Sequence, residues 1–143
     1  MNTTRIESFT VIGPNVRTNN TSEASGSGKL ACLWAGYYKS RPPTSETVYG
    51  VYSDYASNAS GDYTVTAGAR TNATGDSTVT VKSGTYLVFP ANGQMPGAII
   101  DAWKSVWEFF SKDQPYERAF ETDFEQYTGP TSAAIYIGVK PRG

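Results

Sequence analysis

GTYLVFPANGQMPGAIIDAWKSVWEFF, residues 84–110, changes its hydrophobic period once, and that change decides the fold. Its start continues TVTVKSGTYLVFP, a strand-like run with a Ser-Gly break in its middle. ANGQMPG then reads as a turn. Beyond it, Ile99, Ala102, Trp103, Val106 and Phe110 recur at helical spacing, a stripe that Trp107 widens. Asp101, Lys104 and Glu108 take the other side, so the spacing predicts an amphipathic helix. After KDQPY, ERAFETDFEQYT and AAIYIGVK return to strand character, the second with Ile135, Ile137 and Val139 on one face. The order is strand, helix, strand, strand.

The first half of the chain repeats that order more loosely. ESFTVIG ends in Gly-Pro as a strand does, and NNTSEASGSG reads as a loop. Leu30, Leu33, Trp34 and Tyr37 then define a short helix that Pro42 and Pro43 stop. TVYGVYSDY and DYTVTAGA form a predicted hairpin around ASNASG, on which Tyr49 and Tyr52 point to opposite faces. A βαββ unit met twice predicts an α+β fold of two halves, about 5–70 and 78–141, related by a pseudo-twofold axis. The strands would be mostly antiparallel, with both helices on one side. A chain of 143 residues suits one domain spanning 1–143.

Composition removes several function classes. With no histidine, Ser-His-Asp and Cys-His nucleophile systems and HExxH zinc sites are excluded. No cofactor or metal is expected. The twelve Lys and Arg are scattered and the net charge is −1, so no electrostatic footprint for nucleic acid is expected. GSGK at 26–29 lacks the first Gly and the Ser or Thr of a phosphate-binding loop. Cys32 is the single cysteine and reads as a small core residue. Neither a signal peptide nor an eighteen-residue apolar run occurs, which predicts a cytoplasmic protein away from membranes. Four Asn-x-Ser/Thr matches, from Asn2, Asn20, Asn58 and Asn72, read as accidents of a Ser/Thr/Asn-rich chain.

FETDFEQY, residues 120–127, raises the question of function. In a strand, Glu121, Asp123, Glu125 and Tyr127 share one face and Phe120 and Phe124 the other. Alternation alone reads the acids as a solvated face over a Phe-lined core. Seven acids between Asp101 and Glu125 face only Lys104, Lys112 and Arg118, which favours a cationic partner if those side chains share a surface.

Gly-x-Tyr-x-Val-Phe at Gly84–Phe89, the Trp-bearing helix, Asp-Phe-Glu-x-Tyr at Asp123–Tyr127 and the closing Ile-Tyr-Ile strand together resemble the gyrase-inhibitor-like (GyrI-like) small-molecule-binding domain. The same domain is the effector-binding half of multidrug-responsive bacterial transcription activators. VYGVYSDY and DYTVTAGA fit its middle hairpin, so the resemblance covers nearly the whole chain. It implies a tandem βαββ fold with a ligand groove between the helices. It also implies a buried acid for cationic, often aromatic, ligands, and the matching residue is Glu125. Glu121 and Asp123 stay exposed on this reading. Tyr127 shares Glu125's face. Trp103 and Trp107 on one helix, with Trp34 and Tyr37 on the other, are candidate walls. The activators carry a DNA-binding domain beside this module; none is expected here.

Three functions follow. The first is capture of aromatic or amphipathic small organic cations, for drug sensing or sequestration: a weakly hydrated cation suits a buried carboxylate, and aromatic faces add cation–π contacts. The second is hydrolysis of electrophilic small molecules with the pocket Glu as general base. The third is interaction with a protein partner, such as a topoisomerase or a separate regulator, or a homodimer.

Overall fold

The computed structural model describes residues 3–25, 28–40, 47–58, 61–72 and 75–141. The elements run β1 (Thr3–Ile6), β2 (Phe9–Ile12), β3 (Asn15–Thr18), α1 (Asn20–Ala24), α2 (Leu30–Ser40), β4 (Val48–Ser53) and β5 (Tyr63–Thr71). Then come β6 (Thr78–Val81), β7 (Gly84–Asn92), α3 (Gly97–Phe110), β8 (Tyr116–Gly129) and β9 (Ser132–Pro141). The strands form one curled antiparallel sheet in the order β1-β7-β9-β8-β4-β5-β2-β6, with β3 also on β5. The Ser-Gly break predicted in TVTVKSGTYLVFP separates β6 from β7. No described helix is long and apolar enough to cross a membrane.

The pseudo-twofold axis passes between β4 and β8. Residues 75 apart are mates: the pair Thr3↔Leu87 recurs as Thr78↔Ile12, and Ile6↔Gly84 recurs as Val81↔Phe9. Each half therefore lends its first short strand to the other, since β1 pairs with β7 and β6 with β2. At the centre Gly50 faces Glu125, residues again 75 apart, so this pair lies at the axis.

Burial divides the protein into three apolar clusters. Ile99, Ala102 and Val106 of α3 pack on Leu87, Phe89, Ile135 and Ile137. Leu33 and Tyr37 of α2 pack on Tyr52, Tyr63 and Val65. Val11, Tyr49, Val51, Tyr86 and Phe124 fill the third cluster. Trp103 packs against both helix-side clusters and joins them.

Several local expectations are corrected. ESFTVIG is not one strand, because β2 begins only at Phe9. The NNTSEASGSG segment contains α1, whose N-terminus is capped by the Asn19 side chain accepting from the Ser22 N–H. Glu23 in turn accepts from the Lys29 and Leu30 amides and ties α1 to the start of α2. Cys32 is exposed, not core: on α2 the inward stripe is Leu33 and Tyr37, and Cys32 lies off it. Trp107 is 46 % exposed and does not widen the buried stripe of α3. Pro42 and Pro43 lie outside the described residues.

The largest correction concerns β8. Asp123 is fully buried, not exposed, whereas Glu121 is exposed as expected. A central strand with both faces covered does not alternate wet and dry. Phe120 does not share Phe124's side: the β8–β9 register slips between Arg118 and Asp123, and Phe120 takes φ 53°. Its ring packs on Tyr55, which bonds Asp123, while Phe124 packs among Phe9, Tyr49, Tyr86 and Tyr136. With Asp123 and Glu125 both buried, the acid-rich stretch is not one surface.

Candidate functional site

Glu125 is 3 % exposed and stands mid-sheet between the two helices. Its Oε2 accepts from Trp103 Nε1 at 2.6 Å and from the Tyr52 hydroxyl at 2.9 Å. Its Oε1 accepts from the Tyr127 hydroxyl at 2.7 Å. Tyr52 and Tyr127 are again residues 75 apart, so the two phenols approach the carboxylate from symmetric positions on β4 and β8. Burial pushes the Glu125 carboxyl up, while the bonds from Trp103, Tyr127 and Tyr52 pull it back; the net shift is upward. Burial, and then the adjacent Glu125 charge, raise both phenols in turn, so they stay protonated donors.

Gly50 makes this arrangement fit. A Cβ there would lie 2.8 Å from Trp34 Cζ2 and 3.0 Å from Glu125 Oε1. The bare backbone admits the Trp34 indole and the carboxylate to the same spot. Trp34 meets Tyr127 edge-on at 5.4 Å and carries the Tyr38 ring stacked on it at 5.9 Å. Gly50→Ala is expected to displace both groups, costing about 1–3 kcal/mol of stability by overpacking together with ligand affinity. Urea denaturation and a ligand titration of the same variant check this.

Of the sequence-predicted residues, the structure brings Glu125, Tyr127, Trp103 and Trp34 together. Tyr37 is buried behind Trp34, edge to face at 6.2 Å, and supports that wall. Trp107 touches Trp103 at 6.2 Å but lines a different cleft beside Phe110 and Arg118. Tyr52 and Tyr38 were missed. The opposite parity of Tyr49 and Tyr52 was legible, and the halves' repeat assigns Tyr52, the mate of Tyr127, to the Glu125 face. Tyr49 packs in the other core.

Two residues from Glu125, Asp123 has a different environment. It takes Arg118 Nη2 at 2.8 Å and the Gly138 N–H at 2.8 Å, and the Tyr55 hydroxyl donates to it as well. Its charge is matched inside the fold. Among the described residues no Lys or Arg forms an ion pair with Glu125.

The chain belongs to the GyrI-like family of integron-associated effector binding proteins (Cass2), whose model matches residues 4–139. It is similar to an integron cassette protein from the mobile metagenome of Vibrio cholerae, at 34% identity and TM-score 0.88, over 97% of this chain and 95% of that one. The protein SAV2435, solved bound to tetraphenylphosphonium, matches at 18% identity and TM-score 0.76 over 97% and 93% of the two chains. The C-terminal domain of EcmrR matches at 12% identity and TM-score 0.55, over 99% and 97%. These last two likenesses are of fold. No curated protein matches the chain by sequence.

Proposed function

We propose that this effector-binding protein captures aromatic or amphipathic organic cations, with Glu125 as counter-charge and Trp34, Trp103, Tyr52 and Tyr127 as walls. The observation that carries the reading is the contrast within β8. Asp123 has its guanidinium; Glu125, as deeply buried, has only neutral donors among the described residues. Three neutral hydrogen bonds lower the cost of a buried carboxylate without cancelling its charge. A weakly hydrated cation stacked between indole and phenol rings supplies what is missing. Tetraphenylphosphonium on SAV2435, a protein of the same fold, is a ligand of this chemistry. As a general base for hydrolysis Glu125 is poorly placed, because both its oxygens already accept from side chains of its own wall.

The test is a tryptophan-fluorescence titration with tetraphenylphosphonium and with neutral triphenylphosphine oxide. Saturable binding of the cation at tenfold or greater preference supports the reading; equal affinities sink it. The pH dependence has a defined sign. Glu125 carries a folded-state pKa raised above 4.5, so between 4.5 and that raised value the folded state holds more protons than the unfolded one. Ligand-free stability therefore falls as pH rises through this window. Cation affinity rises through the same window, as the carboxyl ionises. Denaturation midpoints and titrations across pH 4–8 should move in these opposite directions.

A further inference from the structure

Phe120 and Arg118 carry two unmet costs at one place, apart from Glu125. Phe120, at φ 53°, occupies the left-handed region that a bulky side chain avoids, at the slip in the β8–β9 register. Its ring lies over the Arg118 guanidinium, 4.5 Å from centroid to guanidinium carbon. The Arg118 side chain is 7 % exposed. Nη2 donates to Asp123 and, at 3.4 Å, to the Tyr55 hydroxyl. The buried Nε–H has no acceptor among the described residues. A buried donor left unpaired destabilises the state that contains it.

Both features border a cleft of about 410 Å³ between the C-terminal half of α3 and the start of β8. Val106, Trp107 and Phe110 form one wall, Arg118 and Phe120 the other. The volume suits a small organic ligand, and the half-exposed Trp107 indole offers a stacking face. Charge narrows the class. Asp123 already neutralises Arg118, and Glu117 on the lining is held by Lys140 at 3.7 Å. An anion would find no excess positive charge here, and a cation no free carboxylate.

We propose that this cleft is a second binding site, for a neutral aromatic molecule bearing one hydrogen-bond acceptor. On binding, the ligand turns the Phe120 ring off the guanidinium, accepts from Arg118 Nε and stacks on Trp107. One event then satisfies the orphaned donor and replaces the Phe120 ring over the guanidinium. The site is distinct from Glu125: no lining residue hydrogen-bonds that carboxylate, and the nearest link is Trp107 against Trp103.

The probes are 9-fluorenone and fluorene, flat molecules of one shape that differ by a carbonyl. Titrations use the wild-type protein and Glu125→Gln, with the Arg118 Nε–H followed by ¹H–¹⁵N NMR. The ketone is expected to bind roughly tenfold or more tightly than the hydrocarbon, to shift the Nε–H resonance, and to bind equally well to Glu125→Gln. Arg118→Lys keeps a cation opposite Asp123 but lacks Nε, and should abolish the preference. If that variant does not fold, Trp107→Ala serves instead and should weaken both probes. Equal affinities, an unmoved Nε–H signal, binding lost with Glu125→Gln, or indifference to Trp107→Ala would each overturn the proposal.

Discussion

Glu125→Gln is expected to weaken tetraphenylphosphonium binding at least thirtyfold while leaving triphenylphosphine oxide within about threefold of wild type. The substitution preserves shape. The Gln carbonyl can occupy the Oε2 position and still accept from Trp103 and Tyr52, and the amide nitrogen can donate to a reoriented Tyr127 hydroxyl. What disappears is the charge. Removing one partner of a desolvated charge pair costs about 2–5 kcal/mol, and 1.4 kcal/mol is tenfold in affinity. The fold should survive, because the variant no longer buries an ion. The pH dependence of binding and of ligand-free stability assigned to Glu125 should vanish with it. Fluorescence titration of both ligands against wild type and variant, with near-ultraviolet circular dichroism as the check on folding, decides the matter. A folded variant that still prefers the cation would remove Glu125 from the site.

Asp123→Asn should produce the largest loss of stability of any conservative change in β8, about 3–5 kcal/mol. Asp123 is fully buried, and Arg118, its partner, is 7 % exposed. Asn retains an acceptor for the Gly138 N–H but leaves a buried guanidinium without counter-charge. Among the described residues, stacking on Phe120 and a long contact to Tyr55 would remain to hold it. For a chain of this size the loss corresponds to roughly 10 °C or more in Tm. The double change Asp123→Leu with Arg118→Met should recover much of it, since the penalty lies in the unpaired ion rather than in the absence of the pair. Urea and thermal denaturation measure all three variants. A loss below about 1 kcal/mol for Asp123→Asn would mean that the guanidinium finds water or another acceptor on its own.

These two acids, two positions apart in one strand, mark how far the sequence can be read. The alternation Glu121, Asp123, Glu125 is plain in the letters, and for Asp123 and Glu125, in the regular part of β8, it correctly gives one side of an extended chain. It cannot say what covers that side. In an edge or half-exposed strand the acids would meet water. In β8, flanked by β4 and β9, Glu125 lies against Trp103 of α3 and Asp123 against Tyr55 and Arg118, and both are dry. Phe120 shows a second limit. Its parity with Phe124 is lost to a local slip in register, and no composition rule locates such a slip. The resemblance to a ligand-binding domain directed attention to Glu125, but it did not separate that residue from Asp123. The separation comes from Arg118, which pairs with Asp123 across the β8 irregularity.

The antiparallel α+β plan with its two longer helices, α2 and α3, follows from the chain alone, because the switch between periods of 2 and 3.6 is a local property. The same holds for the exclusion of histidine chemistry, since a missing residue type is missing everywhere. The repeat of βαββ units also lies in the sequence, and with it the equivalence of Tyr52 and Tyr127. Only the tertiary structure decided that the axis of that repeat falls at Gly50 and Glu125. There, one half contributes no side chain and the other a carboxylate, and the room left by the first is filled by the second. Burial, pairing and the choice of which acid keeps its charge unmatched depend on elements far apart in sequence, and folding alone brings them together.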